Sequence, residues 1–124
     1  MATRRQRRVA EQIHRELSML LMRKVRDPRL EEVTITEVRI TPDLLIARVF
    51  FSVLGEEEER REALAGLESA VGFLRTQLGA RIRLRSVPEL TFELDESAEY
   101  GRRIEELLAE IALEDPTEDG PEPA

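Results

Sequence analysis

The chain has 124 residues, no cysteine, no tryptophan, a single histidine and a formal net charge of −7. This length suits one domain with a modest core, and the lack of cysteine excludes disulfides and thiolate metal sites and favours an intracellular protein. No apolar run approaches the roughly twenty residues of a membrane span, so we expect a cytoplasmic protein without membrane contact, metal or cofactor.

The charge is distributed unevenly along the chain. Residues 1–29 hold nine Lys or Arg against three Asp or Glu, whereas residues 93–124 hold two against twelve. Association depends on the local potential within about a Debye length, roughly 8 Å at physiological salt. The acidic total therefore does not exclude a polyanionic partner for the N-terminal end.

The N-terminal segment predicts an amphipathic helix over residues 4–25. Thr3 and Gln6 have the spacing of a capping box, and apolar residues then recur three and four apart as far as "RDPR". The segment is rich in cations, which are Arg4, Arg5, Arg7, Arg8, Arg15, Arg23, Lys24 and Arg26. A rotation of about 100° per residue places four of them opposite the apolar stripe: Arg4, Arg8, Arg15 and Arg26. We therefore predict a basic ridge on this helix, with His14 at its boundary with the core.

The next segments predict a β-hairpin. "VTITEVRI" alternates apolar and polar residues with a change of phase that is typical of a β-bulge. "TPD" predicts a turn, and "LLIARVFFSVL" predicts a second, antiparallel strand that presents Leu45, Ala47, Val49, Phe51 and Val53 on one face. Phe50 lies on the other face, where base stacking is a weaker interpretation than partial cover by a neighbouring segment.

The second half predicts helix, strand and helix. A helix begins after Gly55 with four glutamates that complement its dipole, and its leucine spacing continues to about Arg83. "PELTFEL" predicts a third strand. From Asp95 or Ser97 onward a last helix has one apolar face, made of Tyr100, Ile104, Leu107, Leu108 and Ile111. We divide the chain into a domain of residues 1–112 and an acidic disordered tail of residues 113–124.

The resulting order resembles the type II KH fold, and more closely the ribosome-binding factor A family. The likeness rests on "RDPRL", "VTITEVRITPDLLIARVFFSVL", "AVG" at 70–72, "RLRSVPELTFELDES" and "GRRIEELL", and it covers about residues 4–112. It implies an α+β fold of order α-β-β-α-(kink)-α-β-α, with a three-stranded sheet and helices packed on one of its faces.

A KH domain grips a nucleic-acid backbone through a Gly-x-x-Gly loop. The resemblance implies an Ala-x-Gly kink here instead, formed by Ala70, Val71 and Gly72, where a valine in place of Gly72 should damage folding. RNA contacts would then come from arginines, those of the first helix and a group that closes the middle helix: Arg75, Arg81, Arg83 and Arg85. Two interpretations of that group remain open. In one, the arginines form a row whose planar guanidinium groups bind phosphates; in the other, they stabilise the C-terminus of the helix by interacting with its carbonyls and dipole.

The resemblance also implies a function. It points to a non-enzymatic assembly factor that binds the immature 30S subunit at 16S rRNA, around its 5′ end and neck, and promotes late maturation, 17S pre-rRNA processing and growth in the cold. A ribosome-associated GTPase is the implied partner, and we expect a monomer. A KH-like module for other RNAs and a protein-binding scaffold remain alternatives. The residues offer no catalytic pair and no Gly-rich phosphate loop, so we expect no catalytic residue.

Overall fold

The computed structural model describes residues 2–114, except for the side chains of residues 98, 99 and 114. The described part is an α+β fold of three α-helices and three strands, whose bounds are α1 (Arg4–Arg23), β1 (Val33–Ile40), β2 (Ile46–Val53), α2 (Glu57–Arg81), β3 (Glu89–Leu94) and α3 (Glu96–Glu114). None of these helices is both long and apolar enough to cross a bilayer. Most of the predicted acidic tail lies outside the described residues, and residues 113 and 114 belong to α3.

Helix α1 begins with the predicted capping box. The Gln6 backbone N–H donates to the Thr3 hydroxyl at 3.1 Å, and the Thr3 N–H donates to Gln6 Oε1 at 2.9 Å. Gln6 Nε2 also donates to the Ile40 carbonyl at 3.0 Å, which ties the start of α1 to the end of β1. The apolar stripe is buried as expected, through Val9, Ile13, Leu17 and Leu20.

The sheet has the order β1-β2-β3, with β1 antiparallel and β3 parallel to β2. The pairing register shifts between Ile35 and Glu37, which confirms the predicted bulge. Along β2 the residues Ala47, Val49, Phe51 and Val53 are buried in a core shared with α1 and α2. Leu45, which we expected on this core face, precedes the strand and is 49% exposed.

Helix α2 is a single α-helix from Glu57 to Arg81, so the two helical pieces predicted on either side of the kink form one element. Residues 70–72 lie inside it. A glycine in a helix interior costs only about 1 kcal/mol, and the buried residues Leu67 and Leu74 continue the core contact on both sides of Gly72. Apolar packing therefore outweighs the weak point.

The helix also ends two residues earlier than predicted. Ile82 has extended backbone angles and a buried side chain. The helix therefore ends before Ile82, whose side chain is part of the core. Arg83 and Arg85 consequently lie on the loop between α2 and β3, and only Arg81 occupies the last helical turn. The interpretation in which the helix dipole holds these arginines therefore applies to Arg81 alone.

The "RDPRL" segment connects α1 to β1 and has a structural role. Pro28–Leu30 forms a 3-10 turn, and the Asp27 carboxylate accepts the Arg29 backbone N–H at 3.0 Å. Hydrogen bonds from Arg29 lower the pKa of the Asp27 carboxyl. The turn delivers Leu30 into the core beside Gly66 of α2.

Helix α3 departs from the expectation that the helices pack on one face of the sheet. Helices α1 and α2 cover that face, whereas no described side chain of α3 is buried. Its start is held by two hydrogen bonds, from the Asp95 N–H to the Phe51 carbonyl at 2.7 Å and from the Thr36 hydroxyl to the Asp95 carboxylate at 2.5 Å. The rest of α3 presents its apolar residues to solvent.

Two glycines of α2 should respond oppositely to alanine. A Cβ added at Gly72 meets no atom within 4 Å, whereas one at Gly66 lies 3.0 Å from Leu30 Cδ2. We expect Gly72→Ala to raise the free energy of unfolding by about 0.5 to 1 kcal/mol through helix propensity, and Gly66→Ala to lower it. Chemical denaturation measures both, and equal shifts would contradict the packing of the 3-10 turn on α2. The same open space removes our reason for expecting valine at Gly72 to damage folding.

Candidate nucleic-acid interface

The cations of α1 lie on its surface, and nearly all of them are unpaired. Arg7 donates to the Ala2 carbonyl at 3.1 Å. The side chains of the other cations, in α1 and in the three residues after it, form no hydrogen bond or ion pair with any residue that the structure describes: Arg4, Arg5, Arg8, Arg15, Arg23, Lys24 and Arg26. Their charge is therefore not neutralised by carboxylates of the described part of the protein.

The structure brings Arg5 and Arg85 together, although 80 positions separate them in the sequence. Both line a cleft of about 410 Å³ whose other walls are the turn between β1 and β2 and the loop before β3. The cleft exists because Gln6 ties the start of α1 to the end of β1, next to that turn. Two arginines from distant segments thus line one small space.

The turn that forms one wall is held by local hydrogen bonds. Leu44 has a positive φ of 64°, and its N–H donates to the Thr41 carbonyl at 2.8 Å. The Asp43 carboxylate accepts from the Thr41 hydroxyl at 2.6 Å and from the Leu45 N–H at 3.1 Å. These bonds lower the pKa of Asp43, the hydroxyl of Thr41 having the largest effect. Asp43 brings one negative charge to the cleft, but its hydrogen bonds go to the turn and not to the two arginines.

Arg75 supports the opposite wall. Its Nε donates to the Pro88 carbonyl at 3.0 Å and its Nη2 donates to the Val87 carbonyl at 2.8 Å. These bonds join α2 to the loop that carries Arg83 and Arg85. We therefore assign Arg75 a positioning role in place of the RNA contact predicted from the sequence.

Arg81 also faces the protein. Its Nη1 lies 3.7 Å from Glu16 Oε1 on α1, a distance too long for a good hydrogen bond. Arg83 and Arg85 are exposed and form no hydrogen bond or ion pair within the described residues. The four arginines predicted as one row are therefore divided, two turned toward the protein and two toward solvent.

The exposed cations fall into two groups along α1. The rise of an α-helix separates Arg4 from Arg23 by roughly 28 Å. One group consists of the cations at the start of α1 and on the loop after α2, two of which line the cleft, and we call it the basic end: Arg4, Arg5, Arg8, Arg83 and Arg85. The other group, Arg23, Lys24 and Arg26, lies beside the 3-10 turn, and Arg15 lies between the two groups on the same helix.

The acidic cluster Glu56–Glu59 and helix α3 lie away from the basic end, whereas Asp43 lines the cleft and Glu89 begins β3 next to it. Strands β2 and β3 run parallel, so their first residues border the cleft and their last residues lead to Glu56–Glu59 and to α3. Residues 1–95 have seventeen basic against sixteen acidic residues, a net charge of +1, whereas residues 96–114 and 115–124 each have a net charge of −4. Such charge separation orients a protein as it approaches a polyanion.

The outer face of the sheet has charged side chains that are already paired. Arg39 binds Glu37 and Arg48 binds Glu93, each at 2.7 Å. Both guanidinium groups lie 5.2 Å from the centre of the Phe50 ring. A base could stack on Phe50 only by displacing them, so this arrangement disfavours the stacking interpretation.

His14 is a boundary residue, as the sequence predicted. Its Nε2 lies 2.9 Å from the Ile35 carbonyl at the β-bulge, so this nitrogen carries the proton in that contact. In residues 2–114 no three His, Asp or Glu side chains gather as a possible metal site. The described part therefore offers an unpaired basic end as its most developed candidate site.

A mixed three-stranded sheet under two helices, with a basic end beside its central hairpin turn, defines a small α+β protein suited to binding a polyanion. The chain belongs to the ribosome-binding factor A family, because the family model of that description matches residues 5–108. This membership confirms the likeness drawn from the sequence, and the KH-like fold with it.

Relatives of the chain agree with the assignment. Ribosome-binding factor A of Brevibacillus brevis is 49% identical over 112 residues, which is 90% of this chain and 93% of the relative. The crystal structure of ribosome-binding factor A from Thermus thermophilus matches with a TM-score of 0.65 and 30% identity, over 72% of this chain and 93% of that chain. A homology model of the Thermus protein, fitted into the cryo-EM map of a 30S complex, matches with a TM-score of 0.59 and 31% identity, over 70% and 91%.

Arg75 and Arg83 should differ in their effect on stability. Replacing Arg75 by alanine removes two charge-assisted hydrogen bonds to the loop carbonyls, and we expect a loss of about 1 to 3 kcal/mol in the free energy of unfolding. Arg83→Ala should change it by less than about 0.5 kcal/mol. Urea denaturation of both variants makes the comparison. A neutral Arg75→Ala would remove its positioning role.

The Glu93–Arg48 pair predicts a pH-dependent contribution to stability. Hydrogen bonding to Arg48 lowers the pKa of Glu93, so its contribution is present above the unfolded-state pKa of roughly 4.3 and is lost as the pH falls through the lower folded-state value. Glu93→Gln should therefore be less stable than the parent at pH 7, and the difference should shrink at acid pH. Glu89→Gln on the same strand is the control, and an equal pH response of both variants would contradict the prediction.

Proposed function

We propose that the protein is a non-enzymatic ribosome assembly factor that binds the immature 30S subunit through 16S rRNA. The observation that carries the proposal is the convergence of Arg5 and Arg85 on one cleft, beside further unpaired arginines. Guanidinium forks match phosphate oxygens in geometry and charge. The fitting of a Thermus relative into the map of a 30S complex supports the same partner.

The mechanism follows from differential binding. Phosphate contacts position a protein on RNA without reading the bases. If the basic end contacts phosphates that come together in only one arrangement of the rRNA, binding shifts the population toward that arrangement. Arg75 and Gln6 contribute by holding the two arginine-bearing segments in place before the RNA arrives.

The finer features of the function rest on the family likeness. We propose that the rRNA target is the region of the 5′ end and the neck, and that binding promotes late maturation, 17S pre-rRNA processing and growth in the cold. The protein would act as a monomer in the cytoplasm. A ribosome-associated GTPase would release it, since the proposed mechanism has no energy source of its own.

Removal of the two cleft arginines should weaken rRNA binding and reduce its salt dependence. We expect Arg5→Ala with Arg85→Ala to lower affinity for a 16S rRNA fragment and to reduce the negative slope of log affinity against log salt by about 1 to 2. The control is Arg61→Ala with Arg103→Ala, which removes equal charge at the opposite end of the sheet. If the protein is instead a protein-binding scaffold, the parent should show no RNA affinity. Equal losses of affinity in the two double variants would contradict the cleft as the site of RNA contact.

The basic ridge on α1 can be tested by measuring binding to free small subunits. Arg4, Arg8 and Arg15 are exposed and unpaired, so changing all three to alanine should leave cooperative unfolding intact. The same variant should sediment less with free small subunits than the parent does. Unchanged co-sedimentation would refute the ridge as a contact. Equal binding of the parent protein to unrelated RNAs would favour the general KH-like module.

A further inference from the structure

Helix α3 presents a long apolar stripe that no described residue covers. The exposed fractions are 69% for Tyr100, 53% for Leu107, 60% for Leu108 and 52% for Ile111. Helical spacing places these residues on one face, together with Ile104. Contiguous exposed apolar surface on this scale is characteristic of an interaction site.

The stripe continues into a groove in the body of the protein. Tyr100 belongs to both, and the groove, about 790 Å³ in volume, has Phe51, Leu64 and Leu94 among its walls. The groove also has charged walls, made of Glu57, Arg60, Arg61, Glu96 and Arg103, so the apolar surface that continues from it along α3 begins between charges of both signs. The family model ends at residue 108, so the outer part of this surface lies beyond the matched region.

The charges on α3 limit what can cover it. The helix has six glutamates and two arginines, and residues 115–124 add four acids and no base. After Arg103 the helix has four glutamates and no base, so RNA and anionic membrane surfaces would be repelled by this outer part of the stripe. A second copy of this chain would bring two helices of net charge −4 together, which like-charge repulsion opposes.

We propose that α3 docks in an apolar groove with Lys or Arg at its rim, on a protein of the small subunit. The apolar stripe would fill the groove, and acids such as Glu105 and Glu110 would meet the basic rim, as in helix-in-groove recognition. The inference rests on the proposed subunit binding and extends it. The basic end meets rRNA, while α3, roughly 28 Å long, leaves the end of the sheet opposite the cleft and meets a protein.

Site-specific crosslinking tests this directly, because the chain has no cysteine. A benzophenone attached at Glu105→Cys lies at the margin of the stripe, and one at Glu106→Cys lies on the far side of the helix, with the same loss of charge. With purified free small subunits, we expect the first to crosslink to a basic ribosomal protein and the second to do so much less. Crosslinks from Glu105→Cys to rRNA or to a second copy of this chain, or equal yields from both positions, would overturn the proposal.

A binding measurement separates this inference from the proposed rRNA contact. Leu107→Gln with Ile111→Gln keeps helix propensity, which circular dichroism checks, and should lower subunit affinity about tenfold to a hundredfold. Affinity for a naked 16S rRNA fragment should not change, and Ala109→Gln on the opposite face should leave both affinities intact. Full subunit affinity in the double variant would contradict the docking of α3 and would leave the proposed rRNA contact unaffected. Loss of rRNA binding on removal of the cleft arginines would still stand as the separate test of the basic end.

Discussion

The attachment of α1 to the edge of the sheet is the constraint on which the candidate site depends. Gln6 and His14 reach from α1 to the carbonyls of Ile40 and Ile35 on β1, at 3.0 and 2.9 Å. β1 is an edge strand, and such strands require their outward backbone groups to be covered or paired. These two contacts pair two backbone carbonyls of β1 and place the start of α1 beside the hairpin turn. Together with the buried apolar stripe of α1, they fix the position of Arg5 relative to Arg85.

Charge separation is the second organising feature. The cations of the basic end are left without carboxylate partners, while those of the outer sheet face are paired with Glu37 and Glu93. Paired arginines gain little from a phosphate, since a carboxylate must first be displaced. The same residue type therefore has two uses in this chain, and the difference is set by its neighbours.

The fold could be predicted well from the sequence because most of its signals are local. The capping box of α1, the bulge in β1 and the strand β3 each follow from the spacing of a few residues, and the structure confirms them. The end of α2 could not be predicted in this way, because Ile82 continues the apolar spacing of the helix while its backbone is already extended. Gly72 does not end the helix, because burial on both sides of it outweighs one unfavourable residue.

The candidate site could be predicted only as a list of arginines. Sequence patterns do not show which guanidinium groups bind the protein itself, as Arg75 does through two carbonyls 12 and 13 residues away. Nor do they show that Arg5 and Arg85 share a cleft, since that depends on the packing of α1 against β1 and on the path of the loop after α2. The exposure of α3 was missed for a similar reason. An apolar stripe predicts burial but does not identify what buries it.

Directed cleavage of rRNA tests the central claim, that the basic end faces the RNA. Iron-EDTA can be attached at Ser86→Cys, inside the cleft, and at Glu58→Cys, near the opposite end of the sheet, in a chain with no other cysteine. On precursor small subunits, the account predicts strong cleavage of 16S rRNA from residue 86 and weak or no cleavage from residue 58. Cleavage from residue 58 alone, or equal cleavage from both, would contradict it.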